Sequence, residues 1–362
     1  LIKRFIKTKM GPKMKRRPRQ SDVAALAAVS PAIVSLVIND RADSNVRISP
    51  ETRQRVWDAV RELGYVANPI ARKLAGNQNR LLGVFTYEAI FPLEYRNFYY
   101  PFLLGIEEEV QAQDYDLVLF TRASGPDGRR SIYQDSINSL QITDGAILLG
   151  VHENRSELSR LVREGFPFVF IGRRELPDGA ISYVTADYSE ATRTIVEYMV
   201  RQGHQHIAYL RPPENREATL DREAGYRLAH QQLGMPLIEQ HIFAGDAEEV
   251  TPQLIERFFA AGITAFLAEN TPLVRRMLEI ADQLGKSAPR DFSLALLGDH
   301  TEEINPVPDI TTFLIPRKEM GKEAVRLLVD LLAHPDEHEA RQIALPCTFV
   351  AGQTVAAPFH AE

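Results

Sequence analysis

From Leu81 to Leu297 short, continuous apolar runs alternate with segments of helical period, and this alternation constrains the fold more than any other feature of the chain. The runs are Leu82–Phe85, Leu117–Phe120, Gly145–Leu149, Phe168–Ile171, Ile207–Leu210, Ala265–Ala268 and Leu294–Leu297. Between them the spacing predicts helices from about Tyr99 to Gln113, around Ser131–Leu140 and over Ser189–Gln202. A strand with no polar face is covered on both sides, as in a parallel sheet clothed by the helices that cross back over it. The runs are too many for one comfortable sheet, so they divide between two lobes. Two doubly wound lobes leave a cleft where the carboxyl ends of their strands meet, and ligands bind there.

The first 66 residues read differently. From Ser21 the pattern is helical, with Val23, Ala24, Leu26 and Ala27 forming one apolar stripe and Asp22 at its start, where a carboxylate favours the helix dipole. Ser30-Pro31 is a capping serine followed by proline in the first helical position, and the helix it opens runs through Ile33, Val34, Val37 and Ile38 to about Asn39. Ser49-Pro50-Glu51 opens a third helix, which carries Val56, Trp57, Val60 and Leu63 on its buried side and stops at Gly64. Two short helices joined by a few residues and braced by a third describe a helix-turn-helix head. In such a head the second helix brings its N-terminal residues to base edges in the major groove, here Ser30, Pro31, Ala32, Ser35 and Leu36.

Charge supports that reading once its distribution is considered. The overall net charge of −6 argues against nucleic acid, but residues 1–80 hold 17 Lys and Arg against 6 Asp and Glu, so a segment of +11 is joined to a body of −17. Much of the excess lies in the tail Lys13, Lys15, Arg16, Arg17 and Arg19. No run of about 18 apolar residues supports a membrane span. The opening Leu1–Lys9 lacks the apolar core and cleavage site of a signal peptide, and Met10 and Met14 are candidate starts behind an upstream extension. The single Cys347 excludes an internal disulfide framework and fits the reducing cytoplasm.

The residues Asp22-Val23-Ala24, Val29 through Ser35 and Asn39, together with Ser49-Pro50-Glu51-Thr52-Arg53 and Leu63 through Pro69, resemble the head of the LacI/GalR (lactose/purine repressor) family. The resemblance implies that the DNA contacts of the head include Ser30, Pro31, Ala32, Ile33, Ser35, Leu36 and Asn39. Ile33 and Leu36 stand where the family often has a threonine on phosphate and an arginine on a guanine edge. Pro31, Ala32 and Leu36 offer van der Waals contacts instead, suited to thymine methyls. Asn68 to Gly76 has the pattern of a single short helix, with Asn68 as its cap and Pro69 at its first position, and is too short to be stable alone. Asn68, Ala71, Arg72 and Leu74 match the family's hinge helix, which sits in the minor groove, and Leu74 would be the wedge that opens a base step.

The resemblance extends through nearly the whole chain from about Arg19 and implies a periplasmic-binding-protein-like core. The expected fold is therefore α/β: an N-terminal helix-turn-helix head and hinge helix joined to a two-lobed core of parallel sheets. Phe98 and Tyr99 match the aromatic pair that lines the family's effector cleft, and Arg173 and Arg222 match its ligand-facing arginines, with Gly172 replacing an acid. Glu269-Asn270 takes the place of an Asn-Asp pair, and either Asp299 or His300 fills that of a later acid. Arginine forks and carboxylates suit polyhydroxy ligands because each bonds two neighbouring hydroxyls. The implied protein is a repressor of operator DNA controlled by a sugar or sugar derivative, working as a homodimer or higher oligomer. The expected divisions are a disordered basic extension (1–18), the head (19–66), the hinge helix and linker (67–79), and the effector-binding and dimerisation domain (80–362).

Motifs of other chemistry are missing. His204 and His206 point to opposite faces of a strand entry, and Pro335 breaks any helix joining His334 to His338, so no metal site is expected. No phosphate-cradling glycine loop or nucleophile elbow occurs, which leaves neither a cofactor nor an enzymatic activity to expect.

Overall fold

The computed structural model describes residues 18–38, 48–65, 79–88, 96–122, 130–177, 179–299, 309–335 and 339–358. The chain falls into two compact units, Leu1–Asn79 and Arg80–Glu362.

In the first unit α1 (Gln20–Leu26), α2 (Pro31–Ile38) and α3 (Pro50–Leu63) pack around Val23, Ala24, Ala27, Val34, Val37, Val56 and Ala59. The Ser49 hydroxyl caps α3 by accepting from the Thr52 N–H at 3.3 Å, Pro50 fills the first turn, and Gly64 closes the helix at φ 59°. Two residues expected in this core face outward: Leu26 is 46% exposed and Trp57 38%. At about 100° per residue, each lies more than a quarter-turn's width from the centre of the buried face that its apolar neighbours share.

The second unit is two lobes. The first contains β1 (Leu81–Phe85), α4 (Arg96–Ala112), β2 (Asp116–Phe120), a small hairpin of β3 (Tyr133–Gln134) and β4 (Ile137–Asn138), β5 (Gly145–Leu149), α5 (Arg155–Arg163), β6 (Phe168–Ile171) and β7 (Tyr183–Ala186). The second contains α6 (Tyr188–Arg201), β8 (Ile207–Arg211), α7 (Glu217–Gln232), β9 (Ile242–Ala244), α8 (Pro252–Ala260), β10 (Ala265–Ala268), α9 (Thr271–Gln283), β11 (Ser293–Leu296) and β12 (Thr311–Leu314). The chain then returns to the first lobe with α10 (Arg317–Ala333) and β13 (Gln342–Leu345), and ends its strands in the second with β14 (Thr348–Val350). The sheets run β13-β7-β6-β5-β1-β2 and β14-β12-β11-β10-β8-β9; all pairings in them are parallel except β12 with β14. The apolar runs are central strands except Leu117–Phe120, which is the edge strand β2, and β5, β6, β10 and β11 are buried along their whole length.

Among the described residues the chain crosses between lobes at three places: after β7 at Asp187, after β12 at Ile315–Pro316, and between β13 and β14 at Pro346–Cys347. Short parallel connections of this kind suit a hinge, because each absorbs rotation without unpacking a core. In the first lobe α10 lies hard against α4. A Cβ on Gly105 would come within 1.9 Å of the Lys318 carbonyl and one on Gly321 within 2.4 Å of the Phe102 carbonyl, so the helix backbones touch where both side chains are absent.

The expected helix over Ser131–Leu140 is instead the β3–β4 hairpin followed by a 3₁₀ turn, Ser139–Ile142. Asp135 and Ser136 both take positive φ, 49° and 64°, as a tight two-residue hairpin turn requires. Ile132 and Leu140 are both fully buried, which gave the segment its apparent helical face, but they are anchored separately. The Ile132 N–H donates to the Glu157 carboxylate at 3.0 Å, and the Leu140 N–H to the Asn138 side chain at 2.9 Å.

Candidate functional site

The head presents a compact turn between α1 and α2, whose axes meet at a bend of 103°. Ala28 makes the turn with φ 54°, a left-handed conformation that costs an alanine and suits glycine. Ser30 then caps α2, its hydroxyl accepting from the Ile33 N–H at 3.3 Å. Ser30, Pro31 and Ala32 are exposed, Ser35 and Leu36 are half-buried, and Ile33 packs partly onto the core of the head. Asn39 and the hinge residues Asn68, Ala71, Arg72 and Leu74 lie outside the described residues.

In the second unit a cavity of about 300 Å³ opens between the lobes, at the carboxyl ends of their strands. Of the expected ligand residues, Phe98, Arg173, Arg222, Glu269, Asn270 and Asp299 line it. Tyr99 does not: it is 1% exposed and its hydroxyl donates to the Glu88 carboxylate, which in turn accepts from the His152 N–H at 3.3 Å. Consecutive residues of a helix point about 100° apart, so α4 can offer Phe98 to the cleft only by turning Tyr99 into the lobe. His300 lies outside the described residues.

The cavity walls are held by their own polar partners. Arg222, only 9% exposed, donates from Nε to the Leu297 carbonyl at 2.9 Å and from Nη1 to the Ala218 carbonyl at 3.0 Å; its guanidinium carbon lies 4.0 Å from the centre of the Tyr188 ring. Gly298 follows β11 at φ 149°, and a Cβ there would stand 3.7 Å from Nη2 of Arg222. Glu269 accepts from the hydroxyls of Tyr209 and, at 3.0 Å, Thr219. Burial pushes its carboxyl above the ordinary range, against the pull of the Arg222 charge. Asn270 caps α9, with Oδ1 accepting from the Leu273 N–H at 2.9 Å. Asp299 accepts from the Ile315 N–H at 2.7 Å and pairs with Arg317.

Ion pairs also join the lobes across the mouth of the cleft. Arg173 forks onto Asp221 of α7, with Nη2 at 2.8 Å and Nε at 3.1 Å from the two carboxylate oxygens. Arg155 reaches Glu217 of the same helix at 3.2 Å. Arg174 pairs with Glu153, donates to the Gly150 carbonyl at 2.8 Å and approaches Glu217 at 3.9 Å.

Arg174, Tyr188, Thr271 and Arg317 also line the cavity and escaped the sequence reading. Arg317 left a usable signal. It opens α10, where a cation opposes the positive end of the helix dipole, so its placement there asks for another reason. The buried side chain supplies one: its guanidinium lies 5.2 Å from the Phe98 ring centre and pairs with Asp299. Tyr188 follows a short strand, β7, whose mixed composition hid it from the search for apolar runs.

Among the described residues no group of three or more His, Cys, Asp or Glu side chains is arranged to hold a metal ion, and no single helix is long and apolar enough to cross a membrane.

Residues 21–68 match the family model "Bacterial regulatory proteins, lacI family", and residues 196–355 match the "Periplasmic binding protein-like domain". The HTH-type transcriptional regulator CelR of Thermobifida fusca is 30% identical over 322 residues, covering 87% of this chain and 92% of its own. A solved CelR–cellobiose complex aligns with 93% of this chain and 100% of its own at a TM-score of 0.62 and 27% identity. The lac repressor dimer, solved on operator with the anti-inducer ONPF, shares the fold at a TM-score of 0.67 and 22% identity, over 94% of this chain and 100% of its own.

Proposed function

The chain belongs to the LacI family of DNA-binding transcriptional regulators, which is not a family of enzymes, and on that premise we propose that a sugar or sugar derivative bound between the two lobes controls its hold on operator DNA. The observation that carries this reading is the cavity itself. Phe98 offers an apolar ring face, while Arg222, Asn270 and Thr271 supply hydrogen-bonding groups around about 300 Å³, room for a small saccharide. The cellobiose complex of CelR supports the same ligand class.

The switch follows from the connections. A ligand that bonds both walls favours one angle between the lobes, and the three crossovers let that angle change with each core intact. Two copies would place two heads on a pseudo-palindromic operator, with Leu74 of each hinge as the minor-groove wedge. The effector shifts occupancy only through unequal affinity for the DNA-bound and free states, a coupling of about 1–3 kcal/mol in typical cases.

Selection of bound fragments from random duplex DNA by the full chain, with and without a panel of saccharides, tests the reading. Enrichment of a pseudo-palindrome whose recovery changes with one class of sugar is the expected result. Recovery indifferent to every sugar would leave a DNA-binding protein without the proposed control.

A further inference from the structure

We propose that the effector carries an anionic group, a carboxylate or a phosphate, seated between Arg222 and Arg317. This deepens the sugar-effector reading and rests on it.

The polar groups of the cleft divide sharply into acceptors already satisfied and donors that are not. The two lining carboxylates are engaged. Asp299 holds the Ile315 N–H and pairs with Arg317, and Glu269 holds the hydroxyls of Tyr209 and Thr219. Asn270 spends its oxygen on the cap of α9 and keeps its NH₂. The donors are in the opposite condition. Arg222 is bonded to two neutral carbonyls, and among the described residues no carboxylate lies within ion-pair distance of it. Arg317 is 94% buried by its 6% exposure, yet its Nε has no hydrogen-bond acceptor. The Thr271 hydroxyl, 2% exposed at the N-terminus of α9, also has no partner. The cleft therefore offers donors in surplus.

A neutral saccharide brings hydroxyls that donate as readily as they accept, so it leaves this surplus and the unpaired charge of Arg222 uncorrected. A carboxylate or phosphate only accepts, and it bonds guanidinium forks in pairs. The two arginines also repel one another. Burial, with the Arg222 charge adding to it, holds Arg317 below the usual guanidinium range, and an anion between them relieves both costs. Phe98, stacked on Arg317, leaves the remaining sugar ring an apolar wall.

The test is calorimetric titration of the full chain with matched triplets: glucose, glucuronate and glucose 6-phosphate; and cellobiose, its aldonate and its 6′-phosphate. The expected result is an anionic member binding at least about tenfold more tightly than its neutral parent. The preferred anion, carboxylate or phosphate, identifies the group. Arg222→Gln should erase the preference while the neutral parents still bind, and Arg222→Lys should retain part of it; both variants lose bonds to the Leu297 and Ala218 carbonyls, so retained binding of the neutral parent, rather than the melting temperature, reports an intact cleft. A neutral parent binding as tightly as its anionic partners would overturn the inference and leave the sugar reading standing. Absence of binding by every member would overturn the sugar reading and this inference together.

Discussion

Arg173, at the carboxyl end of β6, forks onto Asp221 of α7 in the opposite lobe, so a lining residue of the cleft is also a tie across it. Both side chains are largely covered, at 20% and 24% exposure, which keeps solvent from screening the pair completely. Asp221→Asn should loosen the hold of one lobe on the other. A loss of about 1–2 kcal/mol would shift the ratio of closed to open forms roughly 5–30-fold. Small-angle scattering of the ligand-free chain should report a larger radius of gyration, and calorimetry weaker effector binding. Unchanged scattering would show that other contacts set the angle between the lobes.

Phe98 and Tyr99 are adjacent in sequence but differ in task. Phe98→Ala removes a wall of the cavity and should weaken effector binding with little change in melting temperature. Tyr99→Phe keeps the buried ring and removes the donor to Glu88, so it should cost about 1–3 kcal/mol of stability in urea unfolding and leave affinity nearly intact. The reverse pattern would place Tyr99 on the ligand.

Ala28→Gly in the turn of the head should stabilise it, against the usual sign of such a change, because the backbone there is left-handed at φ 54°. The gain is the relieved steric cost, about 1 kcal/mol, less the extra chain entropy that glycine loses. Denaturation of the head followed by Trp57 fluorescence measures it, and a destabilised head would contradict the turn geometry.

His204 titrates in a direction that the second lobe must resist. Its Nε2–H faces the Ala356 carbonyl at 2.9 Å, and Nδ1 lies 2.8 Å from the Thr264 hydroxyl, which can donate to it when the ring is neutral. Burial, the dominant cause, holds its pKa below the ordinary 6.5. The unfolded chain therefore binds the proton first as pH falls. Stability is fully present above pH 6.5 and is lost as pH drops through the lower folded value. The melting temperature of the core should fall on acidification from pH 6.5, and His204→Gln should flatten that slope at some cost in stability at neutral pH.

Leu74→Ala should weaken binding to the selected operator and leave salt-sensitive, nonspecific binding largely intact, since phosphate contacts elsewhere remain. Equal operator affinity for both proteins, measured at one salt concentration, would dismiss the wedge.

Local rules wrote much of this protein into its sequence. Caps and prolines at Ser30-Pro31 and Ser49-Pro50 set the helices of the head, and unbroken apolar runs such as Gly145–Leu149 are strands covered on both faces. Those signals need no distant partner. Strands of mixed composition, such as β7, and edge strands, such as β13 and β14, were invisible because their pairing comes from neighbours far along the chain. The same distance decided the site. Sequence placed Arg173, Arg222 and Asp299 at strand ends or on a helix near them. Only the folding of three crossovers brought Arg317 onto Phe98 and Asp299, and Arg173 onto Asp221. Whether a polar group is satisfied depends on atoms hundreds of residues away in the chain, and that dependence, unlike helix capping or strand burial, belongs to the tertiary structure alone.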